Sequence, residues 1–252
     1  MDQARIWTAA LLVIGDEILS GRTADRNIQQ IGLWLNLQGI RLAEVRVVPD
    51  VTAAIVEGVQ ALAARNDYLF TTGGIGPTHD DITVDAVAEA LGVPVVVHPQ
   101  ARSILEQYYE TRGGLTDARL RMARVPDGAT LIENRMSGAP GIRHGKIHIL
   151  AGVPHIAAMM LEALSGTLEG GQPLLSRTVG AWVAESEVAD LLQATEKAHA
   201  GCQIGSYPFF RDGRVGANLV IRSVDSDRLE TCADSLRAAL EARGVSVAAE
   251  VI

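Results

Sequence analysis

Along the first 165 residues, short apolar runs alternate with stretches whose apolar positions recur every three to four residues. Runs at 7–14, 41–48, 67–72, 93–97, 129–133 and 146–151 have the length and β-branched content of strands. Between them, helical spacing predicts helices over 24–38, 52–65, 81–91, 99–112 and 155–164. In the first of these, Ile28, Ile31 and Leu35 share a face and Gly39 follows as a C-cap. Such alternation predicts an α/β fold: a doubly wound, mainly parallel sheet with helices on both faces. Right-handed crossovers then put ligands at the carboxyl ends of the strands.

The rhythm changes at "SGTLEGGQP", residues 165–173, where small, polar and helix-breaking residues mark a linker. The expected division is therefore residues 1–168 and residues 174–252. In the second part the order is strand "SRTVGAWVA", helix "ESEVADLLQATEKAHA", strands "CQIGSYPFF" and "RVGANLVIRSV" across an "RDG" turn, helix "DRLETCADSLRAALEARG" and strand "VSVAAEVI". That order, βαββαβ, predicts a small α+β domain. At about eighty residues its core is marginal alone. "RVGANLVIRSV" carries no proline or lysine to blunt an edge, and Trp182, Tyr207, Phe209 and Phe210 concentrate here in a chain with 4% aromatics. Self-association through this part, as a homodimer, is expected; the plainer reading is that these rings fill the small core or pack against the first part of the chain.

Composition narrows the function classes. With 252 residues, 48% hydrophobic and 21% charged, the chain can bury a full core, and no segment is long and apolar enough to span a bilayer. "TAALLVIG" runs into "GDE" without a cleavage site, so it reads as a buried strand and not a secretory signal. Cys202 and Cys232 fit neither a ligand spacing nor a disulfide framework and point to a reducing cytoplasm. A net charge of −8 argues against nucleic acid as a partner. One local basic patch is expected, with Arg119, Arg121 and Arg124 as neighbours on a helix.

Three loops could carry chemistry. In "TTGGIGPTHDDIT", residues 71–83, Gly73, Gly74 and Gly76 remove side chains where a strand hands over to a helix, letting backbone N–H groups approach a phosphate. Thr78 and Asp81 have capping-box spacing, which would bring a helix's positive end to the same place. The pattern fits neither the dinucleotide fingerprint nor the Walker loop, and a tight turn without a ligand explains the glycines equally well. Asp80 and Asp81 would repel a phosphate unless a cation lay between, a role suited to Mg2+ or another divalent metal. Asp81 as a helix cap is the competing reading, and His79 reads as a solvent-facing turn residue. Asp16 and Glu17 follow Gly15 at the end of the first strand, facing the same crevice, although Asp16 or Ser20 could simply cap the next segment. "ENRMSGAPGI", residues 133–142, offers Gly, Ser and Pro with little bulk, a cover for a flat ring or an irregular surface loop.

Taken together, "GDEILSG" with Asn27 after it, "TTGGIGPTHDDIT", "SGAPG" and "LAGVPHIAAMM" resemble the molybdopterin-binding-fold domain of the competence/damage-inducible protein A (CinA) family. The same stretch, roughly 7–164, is similar to the N-terminal domain of eukaryotic FAD synthases, and the second part resembles the small domain that follows in these proteins. Longer family members carry a further amidase domain, and this chain resembles a short form without it. The resemblance implies that Gly73, Gly74, Gly76 and Thr78 form a phosphate loop, that Asp81 and Asp16 are the acidic residues of two motifs, and that Ser137, Gly138, Pro140 and Gly141 close over the ligand. One departure is Ala151 where the family has proline, which should loosen that turn.

Two functions follow from the resemblance: a metal-dependent pyrophosphohydrolase acting on ADP-ribose or FAD, or a non-hydrolytic molybdopterin- or nucleotide-binding protein of molybdenum cofactor biosynthesis. In the first, Asp16 and Asp81 would be catalytic, and Asp16, Glu17, Asp80 and Asp81 would hold the metal.

Overall fold

In the computed structural model, residues 5–248 are described, and the chain divides into two compact units, Met1–Gly171 and Gln172–Ile252. Among the described residues no helix is long and apolar enough to cross a membrane.

The first unit runs β1 (Trp7–Ile14), α1 (Asp16–Leu19), α2 (Asn27–Leu37), β2 (Ile40–Val48), α3 (Thr52–Arg65), β3 (Tyr68–Thr72), α4 (Thr83–Leu91), β4 (Val95–Val97), α5 (Pro99–Tyr109), α6 (Asp117–Leu120), a 3₁₀ turn Arg121–Ala123, β5 (Arg124–Pro126), β6 (Thr130–Ile132), β7 (Gly141–His144), β8 (Ile147–Leu150) and α7 (Pro154–Leu164). Six strands form one sheet in the order β2-β1-β3-β8-β7-β6. The first four are parallel; β7 and β6 are antiparallel additions at one side.

Strand β1 shows why a continuous apolar run becomes a central strand. Its successive side chains point to opposite faces, so Ala10, Leu12 and Ile14 join one core with Ile55, Val59 and Leu62 of α3 and Val87 of α4. Ala9, Leu11 and Val13 join another with Ile31 and Leu35 of α2 and Met160 and Leu161 of α7. Both faces are covered, so neither can tolerate a polar alternate. Gly39, at φ 70°, ends α2 in the left-handed conformation expected of a C-cap glycine.

Two expectations are corrected. The run 93–97 does not enter the main sheet: β4 pairs antiparallel with β5 in a separate two-stranded ribbon. Residues 119–124 are not one helix, because α6 ends after one turn and Arg124 opens β5. The three arginines therefore face different partners.

The second unit runs β9 (Leu175–Ala181), α8 (Glu185–Ala198), β10 (Gln203–Arg211), β11 (Arg214–Ser223), α9 (Ser226–Ala242) and β12 (Val247–Ala248). Its sheet is antiparallel, in the order β10-β11-β9-β12. The expected last strand begins as β12; its residues 249–252 lie outside the described residues. Asp212 and Gly213, at φ 52° and 74°, make the tight hairpin turn whose geometry the "RDG" segment predicts. Cys202 and Cys232 are both buried free thiols; burial, then the neighbouring Cys202, pushes the Cys232 thiol up to about 12, so it stays protonated in the core.

The edge argument for a dimer fails on topology. "RVGANLVIRSV" is β11, which lies between β10 and β9 and is not an edge. The edge strands of this sheet among the described residues are β10 and the short β12, and β10 is already blunted. In an antiparallel ladder alternate residues turn their N–H and C=O outward. Ile204 is one of these, since its N–H donates to Glu196 Oε2 at 2.7 Å; Pro208, four residues on, has no N–H to offer. Trp182 and Phe209 stack edge to face with centroids 5.2 Å apart, whereas Tyr207 and Phe210 stay exposed.

Candidate functional site

At the carboxyl end of the parallel strands, β3 stops against a corner built from backbone. Gly73 has φ 102°, and a Cβ there would lie 2.1 Å from the carbonyl oxygen of Ile14 at the end of β1. Gly74 has φ 65°, and a Cβ would lie 2.2 Å from Thr83 Oγ1. Only glycine fits either position. The corner is tied on all sides: Gly73 N–H donates to the Leu150 carbonyl at 3.3 Å, Thr83 Oγ1 donates to the Gly73 carbonyl at 2.8 Å, and Thr83 N–H to the Gly74 carbonyl at 3.0 Å. These bonds bring together the ends of β1, β3 and β8 and the start of α4.

The capping-box expectation is corrected here. Helix α4 starts at Thr83, with Ile82 as an N-cap that makes no side-chain bond, so Thr78 caps nothing. Thr78 and Asp81 instead close a turn of their own: both the backbone N–H and the hydroxyl of Thr78 donate to Asp81 Oδ2. Gly76 permits this fold-back, since a Cβ on it would stand 2.7 Å from the same oxygen. Asp80 is exposed, and the Thr78 side chain beside it holds its carboxyl below the usual range. His79 is fully exposed, as a turn residue would be.

The first acidic turn mirrors this arrangement. Asp16 and Glu17 occupy the first turn of α1, neither capping it by side chain, and the Glu17 carboxylate folds over Gly15, where a Cβ would meet it at 2.7 Å. Asp50, after β2, accepts the Asp16 N–H at 2.9 Å. Burial raises the Asp50 carboxyl above its ordinary range; the Asp16 N–H opposes this, while the charges of Asp16, Glu17 and Asp80 add to it. Three strand ends thus deliver carboxylates close enough to feel one another. Asp50 is a residue that sequence reasoning missed; its signal was position alone, the end of the strand next to β1.

The loop 133–142 is organised by Asn134, also missed. This buried side chain accepts the N–H groups of Met136 and Ser137 and donates to Ser137 Oγ at 2.6 Å and the Ala139 carbonyl at 2.7 Å. Pro140 lines a small cavity together with Gly76 and Asp81. Gly138 packs against the Tyr108 ring, and Gly141 opens β7, buried against Met160 and Ile132. Asn27 is buried, and its amide is spent on the Gly152 carbonyl at 2.8 Å and on Gln30. With Gln30 bonded to the Pro154 carbonyl at 2.9 Å, it fastens α2 to the turn where proline is replaced by Ala151. That turn is held rather than loose. Beside it, a cavity of about 60 Å³ is lined by Glu17, Asn27 and Thr72, whose buried hydroxyl has no partner.

The arginines divide. Arg119 lies over the Tyr109 ring at 4.1 Å and donates to the Arg112 carbonyl at 2.9 Å. Arg124 pairs with Asp85. Arg121 lies along the Gly76–Asp81 cavity and donates to the Asp81 carbonyl at 3.3 Å.

This combination of a parallel-strand rim, a glycine corner and a following antiparallel unit has known counterparts. The family described as probable molybdopterin binding domain matches residues 10–170, and the family described as FAD synthase, middle domain, matches residues 173–248. A Thermococcus kodakarensis protein is 34% identical over 252 residues, covering 94% of this chain and 97% of its own length. A CinA-like protein of Citrifermentans bemidjiense is 34% identical over 246 residues, covering 92% of this chain; the match spans only 58% of that protein. The crystal structure of the protein CinA with unknown function from Thermoplasma acidophilum superposes with a TM-score of 0.60 at 32% identity, covering 64% of this chain and 98% of that one. The chain belongs to the CinA-like family of proteins built on a molybdopterin-binding-type domain.

Proposed function

We propose that the protein hydrolyses the pyrophosphate of an ADP-containing dinucleotide, such as ADP-ribose or FAD, with a divalent metal. The observation that supports this reading is that Asp16, Glu17 and Asp80 come near Asp50 beside the Gly73–Gly76 corner: burial chiefly raises the Asp50 carboxyl, and those three charges add to it. Like charges so placed are relieved by a cation, and hard cations take carboxylate, phosphate and water oxygens. Asp16, Glu17, Asp80 and Asp81 are the carboxylates that would hold Mg2+, their oxygens being donors of the kind it takes, although they are not gathered into a preformed cluster. When bound, such a metal polarises a phosphoryl oxygen.

The protein's own groups perform the rest. The Gly73 N–H is spent on Leu150, so the backbone N–H groups that would orient the phosphate are those of Gly74 and Gly76. Asp81, its Oδ2 occupied by Thr78, keeps Oδ1 to accept a proton from water. The water oxygen then bonds to phosphorus as the bridging P–O bond breaks, and the electron pair leaves with the departing phosphate. Hydrolysis of ADP-ribose, FAD and NAD, each assayed with Mg2+, Mn2+ or EDTA, tests this. Metal-dependent release of AMP is expected; no turnover of any of them in any metal sinks it.

One observation favours the second reading, a nucleotide- or molybdopterin-binding protein without turnover: among the described residues, no three His, Cys, Asp or Glu side chains are grouped to hold a metal ion. Tight binding that EDTA leaves unchanged would select it. Self-association through the second unit has lost its edge-strand argument and rests on exposed Tyr207 and Phe210.

A further inference from the structure

Arg121 is the cation beside the glycine loop that no acid claims. Its neighbours are committed, Arg119 to Tyr109 and backbone carbonyls, Arg124 to Asp85. Arg121 is half-buried and lines the same cavity as Gly76, Asp81 and Asp85, yet among the described residues it forms no ion pair. Its Nε is buried and has no hydrogen-bond partner; its one bond is the long contact to the Asp81 carbonyl.

A half-buried guanidinium keeps its charge, and leaving that charge unpaired costs free energy. A chain of net charge −8 has no shortage of carboxylates to pair it. The backbone that carries it is anchored, because the 3₁₀ turn includes fully buried Ala123, whose carbonyl accepts the His98 N–H at 2.8 Å. An unpaired cation on an anchored turn at the lip of a phosphate loop suits an anion brought from outside. The guanidinium fork matches two phosphate oxygens at once.

We propose that Arg121 binds the phosphate of the ligand, gripping it across from the Gly73–Gly76 corner, and that the ligand class is therefore a nucleoside phosphate or diphosphate and not an uncharged nucleoside or ring. This rests on the reading of the corner as a phosphate site, and answers how an acidic rim attracts an anion: one fixed arginine, besides any metal, offsets the carboxylates.

Calorimetric titration of the full chain with ADP-ribose, inorganic pyrophosphate and adenosine, all with Ca2+ in place of Mg2+ to hold back turnover, tests the assignment in wild type, Arg121→Gln and Arg121→Lys. Arg121→Gln should weaken ADP-ribose and pyrophosphate by about tenfold or more, leave adenosine and the melting temperature unchanged, and be partly rescued in Arg121→Lys. Unchanged affinity for both phosphates in Arg121→Gln overturns the proposal while leaving the phosphate site standing. An equal loss for adenosine, or a fall in melting temperature that accounts for the loss, also overturns it, because Arg121 would then only brace the Asp81 turn. Wild type that binds neither phosphate overturns both this assignment and the reading beneath it.

Discussion

The carboxylate of Asp50 accepts the backbone N–H of Asp16 at 2.9 Å, so the end of β2 fixes the acidic turn that follows its parallel neighbour β1. Asn at position 50 would keep the acceptor and remove the charge. Asp50→Asn should therefore hold metal-free stability within about 0.5 kcal/mol, whereas Asp50→Ala should lose about 1 kcal/mol with the hydrogen bond. Added Mg2+ should raise the melting temperature of wild type more than that of Asp50→Asn. Identical Mg2+ responses in a thermal shift series would show that Asp50 does not help attract the cation.

Gly74 and Gly76 should not behave alike. At Gly74 a side chain meets both a positive φ and Thr83, so Gly74→Val should lose stability and ligand binding together, by about 2 kcal/mol or more. Gly76 has no such backbone requirement; its Cβ would only displace the Asp81 carboxylate. Gly76→Ala should thus cost much less melting temperature and still damage ADP-ribose binding. Comparable melting losses in the two variants would count against this division.

His148, in β8, stacks on Phe70 with centroids 4.8 Å apart, and neither ring nitrogen makes a well-formed hydrogen bond, the nearby backbone of Lys146 and Leu69 only weakly favouring the charged ring. Burial, reinforced by Arg143, lowers its pKa from 6.5 to about 4. Above pH 6.5 the ring is neutral in both folded and unfolded chains and its contribution is complete. As pH falls from 6.5 to 4 the unfolded chain takes the proton first, and about 3 kcal/mol of stability drains away. Urea unfolding at pH 7.5 and 4.5 should show this loss, and His148→Phe should shrink the difference. An undiminished pH dependence in that variant would assign the loss to other groups.

Strand β10 ends its sheet with Ile204 capped by Glu196 and with Pro208 in the outward register. Glu196→Ala with Pro208→Val restores two outward donors. The double variant should associate with rising concentration in light scattering where wild type does so less. Equal association of both would mean the edge is protected by something else.

The sequence carried the first unit well where burial alone dictates pattern. β1, with both faces covered, and the helix containing Ile31 and Leu35 were legible from spacing. Legibility failed where pairing partners decide. Val95–Val97 is too short to show whether it joins a large sheet or a ribbon with β5. β7 opens with Gly141 after Pro140 and so looks like loop until Ile132 and Ile149 are found on either side. In the candidate site the glycines and acids of single turns were readable. Asp50 and Asn134 were not, and Arg121 was read only as one of a basic patch, since each matters through residues distant in the chain or through a hydrogen-bond set that spacing does not encode. Thr78 and Asp81 show a subtler failure: the spacing correctly paired them, but the helix began two residues beyond Asp81.

The bonds around Gly73 have a kinetic consequence. Because the Gly73 N–H is held by Leu150 and its carbonyl by Thr83, the corner has no slack to take up when a molecule arrives. Its amide proton should exchange with deuterium as slowly as those of the central strands, with or without bound ligand. Encounter then requires no rearrangement there, so substitutions around the rim that leave its charge unchanged should keep association rates nearly constant and act on residence time.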